Sequence, residues 1–217
     1  MNPIMRNEGY CPVCAAETVF LAENPWLRDH YLCTRCGSIP RERALMRVIE
    51  SFFPNWRDCV IHETSPGNRG ASARLAGECK KYIPSHYFPD VPGGSYKDGV
   101  RSENLEQLSF RDESVDLHVS QDVMEHVFCP DQAFSEIGRT LKPGGAHVFT
   151  VPIINKHSPT RQRAISEKGV VKHMESPQYH GNPIDPNGSL VTFDWGYDIC
   201  QRIFNVSGLF THVIQID

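Results

Sequence analysis

No apolar run in this 217-residue chain approaches the length needed to cross a bilayer. The N-terminus also lacks the charged-then-apolar pattern of a secretory leader, so a reducing cytoplasm is the expected compartment and no membrane partner is expected. A strong net charge is missing too. At −4 the chain has no global field that would gather nucleic acid, and basic residues do not interleave with aromatic ones. Internal repeats and low-complexity tracts are absent, which excludes solenoids and long disordered arms. The ten histidines contain no i, i+4 pair and no HxH, so sequence spacing alone indicates no histidine metal site. What remains, with 40% apolar and 22% charged residues, is an ordinary globular composition, sized for one domain plus a small appendage or for two modest domains.

Cysteine is the residue with pattern. Cys11 and Cys14 form one CxxC pair and Cys33 and Cys36 a second, separated by eighteen residues. Each pair makes a tight turn that aims two sulfurs at one point, and the spacing fits a zinc ribbon with a tetrahedral S4 site. Two disulfides are the alternative; the missing leader and the scattered single cysteines Cys59, Cys79, Cys129 and Cys200 favour the metal. Zinc in so short a segment supplies folding free energy on the order of 10 kcal/mol. A closed S4 shell has no open position for catalysis, so its expected role is structural or docking. Residues 1–57 carry a formal +1 and residues 58–217 a formal −5. Arg35, Arg41, Arg43 and Arg47 make at most a small basic patch.

The organisation expected is a ribbon over 1–38, a linking helix within 39–57, and an α/β domain over 58–217. The helix follows from apolar residues at 45, 48, 49 and 52, with Pro40 in the first turn and Pro54 beyond the end. From Asp58 onward, short apolar runs alternate with helical stretches, which indicates a parallel sheet with crossover helices. Strands are expected at 58–63, 81–87, 117–120 and 146–151, and helices at 71–79 and 130–141. Residues 152–194 hold five prolines and read as a long irregular excursion. A helix at 197–207 and a strand at 211–216 close the chain. Such a sheet normally ends on two antiparallel strands and only one is evident. Either 190–193 supplies the other or an edge stays open, where a second copy could pair to form a homodimer.

The stretch from Glu103 to Val127, with Asn104-Leu105, Leu108-Ser-Phe-Arg-Asp-Glu-Ser-Val-Asp116 and Val123-Met-Glu-His-Val127, resembles the middle of class I S-adenosylmethionine-dependent methyltransferases. Leu141-Lys-Pro-Gly-Gly145 before an apolar strand is a second match in the right order. The resemblance covers about residues 58–151 and implies a Rossmann-like doubly wound sheet and S-adenosylmethionine as cofactor. It places the cofactor against Glu63 and the turn with Ser65 and Gly67, and near Ser85 and His86, where an acid would normally receive the ribose. Asn104 then stands where an Asp usually receives the adenine amino group, beside Leu105, with Gln121 at the end of the next strand. The first turn, Glu63-Thr-Ser-Pro-Gly67-Asn-Arg-Gly70, departs from the usual glycine-rich loop. His126 follows the strand that ends near the transferable methyl and is the candidate catalytic base; the alternative is a capping hydrogen bond to backbone. His157, Arg161, His173, Tyr179 and His180 in the excursion are candidates to line an acceptor pocket.

Three functions remain open on these residues. The leading one is a methyltransferase acting on a small-molecule or glycan-type acceptor, with the ribbon structural or docking. A ribosomal-RNA methyltransferase gripping a stem through the ribbon is disfavoured by the acidic larger domain. The third is a catalytically inactive binding module that keeps only the scaffold.

Overall fold

The structure is a computed structural model that describes residues 3–182 and 184–216. Its N-terminal part is a three-stranded antiparallel sheet of β1 (Met5–Cys11), β2 (Ala16–Ala22) and β3 (Leu32–Cys33), with the short helix α1 (Leu27–His30) before β3. Helix α2 (Pro40–Phe52) follows, with Pro40 at its first turn, where a missing N–H costs nothing. The Glu42 carboxylate turns back to accept the Ile39 N–H at 2.9 Å. Arg43 fastens α2 to the ribbon: it donates to the carbonyls of Ser38 and Tyr31 and lies 4.6 Å over the Phe20 ring.

The main sheet is built from β4 (Val60–Thr64), β5 (Lys81–His86), β6 (Tyr96–Lys97), β7 (Val100–Ser102), β8 (Val115–Gln121) and β9 (Leu141–Thr150), in the order β6-β7-β5-β4-β8-β9. All neighbours pair parallel except the β6 edge. Helices α3 (Gly70–Glu78) and α4 (Pro130–Thr140) make crossovers. The parallel strands β7-β5-β4-β8-β9 follow the doubly wound order, and it reverses at β4, which places the ligand crevice at the carboxyl ends of β4 and β8. Strand β9 starts earlier than expected: Leu141 already pairs with Val115, and the register shift before Leu117 absorbs the Pro143-Gly144-Gly145 segment.

The excursion is ordered into short ladders, not irregular. Strands β10 (Ile153–Asn155) and β11 (Arg161–Gln162) flank β16 (Phe193–Gly196). Strands β12 (Ala164–Glu167) and β13 (Val170–His173) form a hairpin, and so do β14 (Tyr179–His180) and β15 (Ser189–Leu190). The β12–β13 turn has Lys168 and Gly169 both at positive φ, the geometry that two-residue hairpins require. Helix α5 (Ile199–Ser207) ends at Gly208, left-handed at φ 74°. The expected strand at 211–216 is not formed; those residues carry no ladder. Residues 190–193 do not complete the main sheet either, because β16 pairs with β10 and β11. Among the described residues β9 is therefore a sheet edge.

Two cores lie on the two faces of the sheet. Ile61, Leu117, Val119 and Val148 pack against α2, α3 and the ribbon residues Val13 and Phe20. Phe134, Ile137, Trp195, Ile199 and Ile203 pack in the second core. The sheet face toward α4 is unusually polar. Its register aligns His62, His118 and His147 across β4, β8 and β9, the first two buried and His147 half-buried. The protons of His62 and His118 are fixed by elimination. Thr140 Oγ1 donates to the Glu136 carbonyl (2.8 Å) and so accepts from His118 Nε2–H (2.8 Å). Neutral His118 then accepts at Nδ1 from His62 Nδ1–H (2.9 Å), and His62 Nε2 accepts from the Ser85 hydroxyl (2.8 Å). Burial holds all three imidazoles neutral, pushing His118 and His147 down to about 3 and His62 well below the usual histidine range.

Because the unfolded chain protonates these rings near pH 6.5, their stability is complete above that pH and is lost as pH falls toward their folded values. Between pH 7.5 and 5.0, His118 and His147 are expected to cost about 2 kcal/mol apiece. Urea unfolding at the two pH values checks this, and an unchanged midpoint would contradict it.

Candidate functional site

The four ribbon cysteines converge. Cys11 Sγ lies 3.7 Å from Cys36 Sγ, and Cys14 Sγ lies 3.9 Å from Cys33 Sγ. Four sulfurs about 2.3 Å from one ion at tetrahedral angles stand roughly 3.8 Å apart, so the set has S4 metal dimensions. No sulfur pair is at bonding distance; all four are free. Burial pushes the Cys14 thiol up to about 12. At Cys33 burial acts the same way but is outweighed by hydrogen bonds from the Cys36 and Arg35 backbone and the Thr18 hydroxyl, which bring it to about 6.

The ribbon and α2 reach the carboxyl end of the main sheet. Asp122, just past β8 and left-handed at φ 51°, accepts Arg28 Nη2 at 2.5 Å and faces Arg41 Nε at 3.2 Å. At the end of β4, Glu63 is fully buried and accepts Ser72 Oγ (2.6 Å), Tyr82 OH (2.8 Å) and Gln121 Nε2 (3.1 Å). Burial raises its pKa and the three donors oppose that. Glu63 and Gln121 therefore hold each other and the start of α3. Ser85 faces inward to His62 and is fully buried. His86 is nearly buried, and burial lowers its pKa.

The turn before α3 keeps the freedom expected of it. Ser65 bends left-handed at φ 52°, and Gly67 has open space around its Cα. Gly70 opens α3 at φ +60°, and a Cβ there would run into the Glu42 carboxyl. The α3 N-terminus, where a helix attracts negative charge, is met by the Glu42 carboxylate. Glu42 gave no signal of this, since its contact spans two elements.

A cavity of about 440 Å³ opens beside β5 and β7, lined by Tyr87, Phe88, Val91, Ser102, Asn104 and Gln107. Asn104 Oδ1 already accepts the Glu106 N–H at 3.0 Å, which leaves one lone pair. Leu105 is buried in the second core and does not line the cavity.

His126 lies in a 3-10 turn at Met124–His126 after β8. Its Nδ1–H donates to the Leu190 carbonyl at 2.8 Å, so the backbone bond and a free Nε2 coexist. Burial lowers its pKa, with Glu125 and the Leu190 bond acting the other way. Of the excursion residues, the structure brings His180 to this corner: its Nδ1 is 3.6 Å from Glu125 Oε1. Tyr179 is exposed on the neighbouring position of β14, and His157 and His173 are also exposed. Arg161 pairs with Asp194 at 2.8 Å and with Glu175. Glu125 was missed as a site residue although it lies within the quoted stretch. Its signal, a carboxylate inside an apolar Val-Met-Glu-His-Val run, is weak by itself.

Residues 85–149 match the methyltransferase domain family. The chain is 32% identical to a dimethylglycine N-methyltransferase of Parasynechococcus marenigrum (strain WH8102), the match covering 44% of this chain and 38% of that protein. It thus spans well under half the length of that curated relative. Among solved structures, an S-adenosylmethionine-dependent methyltransferase from Mesorhizobium loti matches with TM-score 0.47 and 16% identity, over 76% of this chain and 80% of that one. Phosphoethanolamine N-methyltransferase 2 of Haemonchus contortus, in complex with S-adenosyl-L-methionine, matches with TM-score 0.38 and 20% identity, over 50% of this chain and 27% of that one. No helix among the described residues is long and apolar enough to cross a membrane.

Gly70→Ala is expected to destabilise the protein by about 1–3 kcal/mol, combining a left-handed backbone with the Glu42 clash. Ala at Gly67, which has open space, is expected to cost much less. Denaturant unfolding of the two variants checks the difference.

Proposed function

We propose that the chain is an S-adenosylmethionine-dependent methyltransferase acting on a small-molecule acceptor. The observation that carries this reading is the placement of the matched segment. Residues 85–149 contribute much of the rim of the 440 Å³ cavity and run on through the β8 tip to His126. The cavity wall fits an adenosine end, with the Asn104 lone pair available to the adenine amino group and Ser102 buried beneath it. The open backbone at Gly67 suits the methionine end. The cofactor, when bound, supplies the electrophilic methyl of its sulfonium. The chain's residues supply alignment, exclusion of water and a proton acceptor. His126 Nε2, on a neutral ring fixed through Nδ1, is the basic atom on the acceptor side.

The relative's name, a dimethylglycine N-methyltransferase, supports a small acceptor over a glycan or RNA, as does the formal −5 of residues 58–217. The S4 set is assigned to structural Zn2+, with the ribbon packed into the first core as a wall of the domain. The β9 edge keeps a homodimer as a proposal for light scattering to decide. The inactive-module reading is favoured by one observation, the Glu42 carboxylate at the start of α3.

Calorimetry with S-adenosylmethionine separates the two: saturable binding is expected, weakened about 10-fold or more in Asn104→Ala. No heat at saturating ligand would sink the methyltransferase reading. Metal analysis of the purified chain is expected to find zinc held by the cysteines. Cys33→Ser should lose that zinc together with several kcal/mol of stability, of the order a structural zinc supplies. Unchanged zinc content in that variant would remove the S4 assignment.

A further inference from the structure

The Glu125 side chain is 2% exposed, yet among the described residues neither of its oxygens meets a hydrogen-bond donor. A carboxylate is not left in that state without compensation, because buried charge requires a paired charge or a metal. Two imidazole nitrogens face it without bonding to it. His126 Nε2 lies 3.8 Å and His180 Nδ1 3.6 Å from Glu125 Oε1, both beyond hydrogen-bond range. The three ligand atoms nonetheless lie within 4.8 Å of one another. Two donors each about 2.1 Å from one ion, at 90–120°, stand roughly 3.0–3.6 Å apart, so small side-chain movements bring this set onto a metal.

The surroundings support the same use. His126 Nδ1–H is committed to the Leu190 carbonyl, which fixes the tautomer and aims the Nε2 lone pair inward, as the outer partners of metal-bound histidines do. The Glu125 carbonyl accepts Thr192 N–H (2.8 Å) and Thr192 Oγ1 (3.0 Å), so the backbone carrying the carboxylate is held as well. The rings of His126 and His180 meet edge to face with centroids 5.1 Å apart, leaving room between the nitrogens. His180 is 33% exposed, which gives an ion a way in.

We propose that Glu125, His126 and His180 bind one first-row divalent cation, at a site chemically separate from the four cysteines. Two imidazoles and one carboxylate leave coordination positions open, unlike the closed S4 shell. Those positions face the His180 side, where an acceptor oxygen would bind the ion and be polarised by it. That acceptor role rests on the methyl-transfer reading, whereas the binding does not. With the ion in place, His126 Nε2 is a ligand and not a proton acceptor.

The test is titration of the full chain, carrying one equivalent of zinc for the four cysteines, with Mn2+ and no S-adenosyl ligand, followed by calorimetry and by the manganese spin-resonance signal. Mn2+ is the probe because it suits carboxylate and water ligands and leaves the four thiolates to zinc. One Mn2+ per chain is expected, with affinity at least about 10-fold weaker in Glu125→Gln and in His180→Gln and unchanged in His173→Gln. Should Glu125→Gln not fold, His180→Gln, on a partly exposed side chain, carries the test. Absence of Mn2+ binding, or wild-type affinity in His180→Gln, overturns the proposal. Because the titration uses no cofactor, a protein that binds Mn2+ but not S-adenosylmethionine overturns the methyltransferase reading alone.

Discussion

The parallel pairing of β4 with β8 is the constraint from which most of the molecule follows. It is the point where strand order reverses, so it opens the crevice at the strand ends. Its register sets His62 beside His118 and Glu63 beside Val119, and puts the Gln121 amide within reach of Glu63. The chain leaving β8 is then bent by the left-handed Asp122, which receives the arginines of the N-terminal module. Four residues later it delivers His126. A shift of one residue between β4 and β8 would turn every one of these side chains to the wrong face.

The pairing also explains why one sheet face tolerates so much polarity. From Ser85 through His62 and His118 to Thr140, each donor meets one acceptor, and the chain ends on a helix carbonyl whose own helical bond leaves a lone pair free. A buried network that is fully satisfied costs little and specifies one arrangement; with one member missing it would be expensive. Ser85 is consumed by this network. Glu63, likewise, ties β4, α3, β5 and β8 together through Ser72, Tyr82 and Gln121.

How legible each part was in the sequence depended on how local its cause is. The CxxC turns bring their sulfurs together through contacts a few residues long, and spacing alone indicated the cluster. Helix α2, framed by Pro40 and Pro54, and the apolar strands β4 and β8 were equally evident, because periodicity records burial. Strands of two to four residues, such as β11, β14 and β15, are too short to show a period, so the excursion reads as irregular. The strand expected at 211–216 had the right composition but no neighbour to pair with; pairing is a property of the sheet and not of the segment. Ser85 and Glu63 were placed correctly at strand ends, yet the direction of their side chains depended on His62 and Tyr82. Glu42 at the start of α3 and Glu125 beside two histidines are products of tertiary packing, and no spacing rule contains them.

The β14–β15 hairpin carries two things to the corner by the β8 tip: the His180 imidazole on one strand and the Leu190 carbonyl that orients His126 on the other. Its ladder is only two residue pairs long, Tyr179 with Leu190 and His180 with Ser189. So short a ladder has little pairing energy with which to defend its alignment, and a slip of one position would bring Tyr179 inward in place of His180. An ion gripped by His180, Glu125 and His126 would act as a clasp, joining an excursion strand to the central sheet.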